Sequence, residues 1–140
     1  MSEDLILDHT LACLRPHMHV EWGDREPLDV LGRLMAKHFR PAGWTQNTHL
    51  IIRRDQVRSR REQWGIARLG QLKRGHAAVA GPRTSLDGPI VVVEHEGVVR
   101  LLDGNHRINT WLGIRDSALH DVHIHTIEGT GGFVEVPGIG

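Results

Sequence analysis

The sequence predicts an α/β (α+β) domain, a small mixed sheet with flanking helices. Three observations predict it. Ile90-Val91-Val92-Val93 is β-branched throughout and reads as a buried strand. Val98-Val99-Arg100-Leu101-Leu102 returns after a turn at Glu94 to Gly97, so the two segments read as a hairpin. Apolar residues recur at helical spacing in three places: Leu28/Leu31/Leu34/Met35, Ile66/Leu69/Leu72 and Ile108/Trp111/Leu112.

Taken in order, the chain opens with Leu5-Ile6-Leu7, then passes Pro16 and a His17-x-His19 pair. Pro27 suits the first turn of a helix that stops before Pro41, with Gly43 beyond. His49-Leu50-Ile51-Ile52 reads as the first strand of the main fold. A basic segment, Arg53 to Arg61, follows, and then a helix ending near Gly75. Gly81, Pro82, Gly88 and Pro89 mark a loop over 79–89. After the hairpin, Asp103-Gly104-Asn105 breaks the strand and opens a short helix that Gly113 ends. A last strand spans about 121–127, with Val122, Ile124 and Ile127 as its apolar residues. These boundaries give an N-terminal extension, 1–46, packed on the core. A domain over 47–128 and a flexible Gly-rich tail over 129–140 complete the chain.

Composition excludes several classes. With 140 residues the chain is long enough for one domain with its own core. Apolar residues are 39% and charged residues 24%, which argues against disorder throughout. A single cysteine, Cys13, excludes an internal disulfide framework and a Cys-rich zinc ribbon. No apolar run approaches the roughly 20 residues of a membrane span, and no signal peptide opens the chain. The expected location is therefore the cytoplasm. The 17 basic and 17 acidic residues cancel, which argues against coating nucleic acid with the whole surface. The charge is nevertheless uneven. Residues 1–30 hold seven acids and two bases, and residues 51–76 hold eight bases and two acids. The two segments either face each other or the second faces an anionic partner. Of the basic residues 15 are Arg, which binds phosphate bidentately, and codon bias is the plain alternative.

One segment carries the clearest chemistry: a β-branched hairpin emptying into Asp103-Gly104-Asn105-His106-Arg107. The first N–H groups of a helix lack intrahelical partners, and its dipole adds positive charge there, so that end attracts anions. Arg107 in the first turn is placed to clamp phosphate oxygens. Asn105 or Asp103 suits an N-cap. His106 would donate to phosphate or shuttle a proton. Asp103 would hold Mg²⁺ or act as a base, with Glu94, Glu96 and His106 as other base candidates. The plain alternative is a well-made turn with a cap.

Leu102-Asp103-Gly104-Asn105-His106-Arg107, with Pro89-Ile90-Val91-Val92 ahead and Trp111-Leu112-Gly113 behind, resembles the ParB/sulfiredoxin superfamily. The resemblance covers roughly residues 47–128. It implies a small α/β domain around a mixed sheet whose shared property is binding nucleotide phosphates. Members include CTP-dependent DNA clamps, ATP-using sulfinic acid reductases, ADP-dependent serine kinases and ParB-like nucleases. Carried over, Gly104, Asn105, His106 and Arg107 would contact phosphates, with Asp103 beside them and Arg60 and Arg61 adding to the clamp. Asn105 stands where sulfiredoxins have a catalytic cysteine, and Cys13 is far away in sequence. The 140 residues leave no room for the helix-turn-helix domain of segregation ParB proteins. The resemblance then implies a hydrolase or phosphotransferase taking a nucleotide triphosphate or diphosphate with Mg²⁺. The alternative is a non-catalytic, nucleotide-gated module contacting a protein or DNA partner, or a homodimer.

Two further groups stand out. Asp121, His123 and His125 share one face of a strand, with His120 adjacent. They are either metal ligands or the polar face of a half-buried strand. Arg53–Arg61 either meets DNA, clamps the same nucleotide, or is a solvated loop. With aromatics at 4%, Trp64 is the one stacking candidate beside it, and core packing is the alternative role. Trp22 and Trp44 are expected to pack the extension onto the sheet.

Overall fold

The computed structural model describes residues 2–14, 27–40, 42–45, 47–72, 88–129 and 133–135. The element order is α1 (Glu3–Leu14), α2 (Pro27–Phe39), β1 (Thr48–Leu50), a 3₁₀ turn (Arg54–Gln56), β2 (Val57–Trp64), α3 (Ile66–Leu72), β3 (Ile90–His95), β4 (Val98–Asp103), α4 (Asn105–Gly113), β5 (His120–Ile127) and β6 (Phe133–Glu135). Four strands form one mixed sheet in the order β2-β5-β3-β4. β5 runs antiparallel to β2 and parallel to β3, and β3 pairs antiparallel with β4. The expected fold class, α+β around a small mixed sheet, is the one observed.

The β3–β4 hairpin turns on Glu96 and Gly97, at φ 51° and 76°. Two positive φ values in a two-residue loop match the right-handed twist of the strands it joins. β3 is buried on both faces, which explains its unbroken β-branched run. Leu7, Leu11 and Leu14 of α1 and Leu31 and Met35 of α2 cover one face, against Val57, Val91, Val93 and Ile127. Leu69 of α3 and Ile108 and Trp111 of α4 cover the other, against Ile90, Val92, Leu101, Val122 and Ile124. Each such aliphatic side chain stabilises the fold by about 1.5–3 kcal/mol through burial.

Several expectations need correction. His49–Ile52 does not open the main sheet. β1 pairs instead with β6 in a separate two-stranded sheet, and Ile51 beyond it is exposed. The Gly-rich tail, 129–140, thus supplies a short strand over 133–135. Arg53–Arg61 is not a loop, because most of it is the 3₁₀ turn and β2. Along β2, Val57 and Ser59 are buried while Arg58 and Arg60 are exposed. Arginine at the outward positions hid the alternation. Residues 3–14, to which the sequence assigned no helix, form α1 with Ile6, Leu7, Thr10, Leu11 and Leu14 buried. His17, His19, Trp22, Gly75 and most of the 79–89 loop lie outside the described residues. Trp44 lies under the Arg40 guanidinium, 5.1 Å from its ring centroid.

Candidate functional site

β4 runs into Gly104, which adopts φ 118° and stands at the N-cap of α4. A Cβ there would press on the tip of the Ile90 side chain, and the positive φ is one that L side chains rarely adopt, so the turn favours glycine. Ile108 N–H donates to the Gly104 carbonyl at 2.9 Å, the first bond of the helix. The N-cap position is held by Gly104 and not by Asp103 or Asn105, the two residues expected there. Asn105 is buried and His106 is exposed.

Arg107 is turned inward. It is 5% exposed; its Nη1 donates to the Gly88 carbonyl at 2.6 Å and its Nη2 to Asp103 Oδ2 at 3.1 Å. The guanidinium thus ties the start of β3 to the end of β4. Asp103 is held in that pair. No group of three or more His, Cys, Asp or Glu side chains among the described residues is placed to hold a metal ion. Cys13, remote in sequence, lies on α1 within electrostatic reach of this corner. Burial and the Asp103 carboxylate push its thiol up, and Arg107 opposes them.

The basic run and the acidic N-terminus face each other. Arg54 pairs with Asp8 at 2.8 Å and Asp4 at 3.7 Å, and Arg58 with Glu3 at 3.2 Å. Arg53 pairs with Asp55. Arg60 donates to Glu62 at 2.7 Å and Glu94 at 3.1 Å. Arg60 and Arg61 do not form one clamp, because neighbouring strand residues point to opposite faces. Trp64 is core: it is 6% exposed, and its indole N–H donates to Glu62. That bond first, then Arg60, holds the Glu62 carboxyl below its ordinary range.

Arg61 instead enters a cleft of about 550 Å³ with His9 of α1, Gln63, Gly88, Pro89, Trp111, Leu119, His120, Asp121 and His123. The cleft adjoins the Gly104 corner, because Gly88 lines it and is held by Arg107. Gly104, Asn105, His106 and Arg107 themselves do not line it. Arg61 forms no ion pair with a carboxylate among the described residues. His120 stacks on Trp111 with centroids 3.5 Å apart, and its Nε2 lies 3.4 Å from Asp116 without hydrogen-bond geometry.

The histidines of β5 form a buried chain. Ser59 Oγ and His125 Nδ1 are 2.7 Å apart, His125 Nε2 and Thr10 Oγ1 2.8 Å, and Thr10 Oγ1 and His123 Nδ1 2.9 Å. Burial, then the neighbouring His123, pulls His125 down to about 4. Burial, then His9, pulls His123 down to about 4, against the opposing pull of Asp121. Both imidazoles are neutral at pH 7. The expected His123/His125 face exists, and it is a hydrogen-bonded relay in which both His125 nitrogens and His123 Nδ1 meet Ser59 or Thr10. His120 lies on the opposite face. Thr10 and His9 were not legible as partners, since they reach β5 only through the unforeseen helix α1.

No family model, curated protein or solved structure matches the chain.

Proposed function

We propose that this chain binds a phosphate-bearing ligand in the Arg61 cleft, a nucleotide being the ligand its ParB/sulfiredoxin-like motif implies. One observation carries the reading: the Arg61 guanidinium, without an ion pair among the described residues, and three imidazoles, His9, His120 and His123, converge on one concave surface. Arg61 supplies the bidentate charge that a phosphate wants. Trp111 and Leu119 supply apolar wall for the rest of the ligand. Arg107 holds Gly88 and so shapes the rim, which makes it a positioning residue in this reading. Gly104 serves the same corner by allowing the tight turn. With Asp103 paired to Arg107, a Mg²⁺ would be held chiefly by the nucleotide's own phosphates and would supply further charge stabilisation there. Hydrolysis or transfer of phosphate needs chiefly positioning and charge stabilisation, which this donor set suits.

Calorimetry with inorganic phosphate, ATP and CTP tests the reading. Arg61→Ala is expected to weaken binding tenfold or more, and unchanged affinity would refute the site. Incubation of ATP, CTP and plasmid DNA with Mg²⁺ then separates enzyme from module. A second reading, a non-catalytic nucleotide-gated module, is favoured if binding occurs without turnover. The internal pairing of Arg53, Arg54, Arg58 and Arg60 supports it over a DNA phosphodiesterase, because most of the basic run is matched within the chain.

A further inference from the structure

The buried chain Ser59–His125–Thr10–His123 ends in the cleft, and its polarity follows from counting protons. We propose that Ser59, His125 and Thr10 are positioning residues that fix His123 as a neutral Nε2–H donor, so that the cleft selects a ligand acceptor such as a phosphate oxygen. The inference rests on the phosphate-binding reading above and deepens it.

The chain contains three short contacts between four groups, each hydroxyl offering one proton and each neutral imidazole one. In one arrangement Ser59 O–H donates to His125 Nδ1. His125 then carries its proton on Nε2 and donates to Thr10 Oγ1. Thr10 O–H in turn donates to His123 Nδ1. Three of the four protons then lie between the groups, and the fourth, on His123 Nε2, is left at the end of the chain that lines the cleft. In the reversed arrangement the Ser59 hydroxyl proton has no acceptor. Among the described residues Ser59 Oγ meets only His125, while the Ser59 backbone N–H is already given to Glu3 at 2.9 Å. A third arrangement aims both imidazole N–H groups at Thr10 and leaves the Thr10 hydroxyl proton stranded. Buried donors without acceptors are disfavoured, so the first arrangement is the resting one.

His123 Nδ1 is committed to Thr10, and its other nitrogen has no hydrogen-bond partner among the described residues, while the residue lines the cleft. The same cleft holds the Arg61 guanidinium and His9, whose ring meets His123 edge-on at 5.2 Å. Asp121 is the carboxylate on this wall. The wall therefore presents His123 N–H and Arg61 N–H donors side by side. Such a pair fits an anionic oxygen. Burial of both imidazoles keeps them neutral at pH 7, as the proton count requires.

The test is imidazole ¹⁵N–¹H correlation NMR of the full chain at pH 7.5, followed by titration with inorganic phosphate. Both His123 and His125 are expected as Nε2–H tautomers. Thr10→Ser should keep that pattern and the phosphate affinity. Thr10→Val should leave His125 unchanged through Ser59, release the fixed tautomer of His123, and weaken phosphate binding fivefold or more. Phosphate should move the His123 Nε2–H signal in the wild type. His123 found as Nδ1–H, or as imidazolium, overturns the wire even where phosphate binds. That wild-type spectrum decides the matter without any variant. Nε2–H tautomers with a His123 signal indifferent to phosphate overturn the selection of an anion by His123, whereas the phosphate-binding reading falls only if calorimetry finds no binding or Arg61→Ala leaves the affinity unchanged.

Discussion

Lowering the pH from 7 to 5 is expected to destabilise this fold through His125. The imidazole is fully buried, and that burial, with His123 beside it, holds its folded pKa at about 4. In the unfolded chain it returns to about 6.5. Between those values the unfolded state carries a proton that the folded state refuses, so stability falls as pH drops through the window from 6.5 to 4. At pH 7 both states are largely neutral and little is lost. At pH 5 the unfolded imidazole is almost wholly protonated and the folded one only about a tenth, a loss of about 2 kcal/mol from this single group. His123 acts in the same direction. Carboxylates titrate mostly below this range, so they do not mask the effect. Urea denaturation followed by fluorescence of Trp64 and Trp111, at pH 7.5, 6.5, 5.5 and 5.0, measures it. His125→Gln should flatten the slope between pH 6.5 and 5. A wild-type stability that is constant from pH 7 to 5, or an unchanged slope in His125→Gln, would refute the reasoning.

Three other outcomes are expected. Arg107→Ala should cost about 3–5 kcal/mol by denaturation, because it leaves Asp103 and the Gly88 carbonyl without their shared donor. Arg107→Lys should recover only a minor part, since an ammonium lacks the fork that reaches both partners. Gly104→Ala should cost about 2–4 kcal/mol from the positive φ and the contact with Ile90. Adding Ile90→Val removes Cδ1 and should restore part of that loss, and a purely additive double variant would show that the contact is not felt. Finally, Cys13 should alkylate slowly with iodoacetamide at pH 7.5, given its raised thiol. Asp103→Asn should speed the reaction by removing a charge that disfavours thiolate; equal rates would remove Asp103 from its surroundings.

Much of the sheet was legible because its signals are local. Ile90–Val93 is β-branched, Gly97 closes the hairpin, and Asp103-Gly104 stops β4 where the strand ends. Helix α2 was readable from Pro27 and the Leu31/Met35 spacing. β2 was not, because Val57-Arg-Ser-Arg-Arg-Glu-Gln-Trp64 has apolar residues only at its two ends. Its inward Ser59 is a hydrogen-bonding position and its outward arginines are ion-pair partners, so hydrophobic periodicity has nothing to register. Helix α1 was missed for a related reason. Its buried face includes Thr10, which faces two histidines more than a hundred residues away. The motif was read as a phosphate clamp, and the structure adds a second role for its arginine, which ties Gly88 to Asp103. A guanidinium one turn into a helix looks outward on paper, and only the placement of Gly88 shows that it is an internal tie. The cleft depends on Arg61, His9 and His123 meeting across three elements, which no spacing along the chain encodes.

The place of β5 in the sheet has a consequence for how the chain folds. β3 and β4 are neighbours in sequence and can close their hairpin early, within microseconds by the usual timescale of such units. β2 is made well before them but touches neither, because β5 lies between it and β3. Until the residues of β5 arrive, β2 has no partner strand, and the open edge of β3 exposes unpaired backbone beside a fully apolar segment. Insertion of β5 must therefore satisfy two edges together, one parallel and one antiparallel, after long loops have closed. Non-local pairing of this kind slows folding, and it leaves the Val91–Val93 edge open to wrong partners in the interval. A chain cut before His120 would hold both halves of the sheet with nothing to join them.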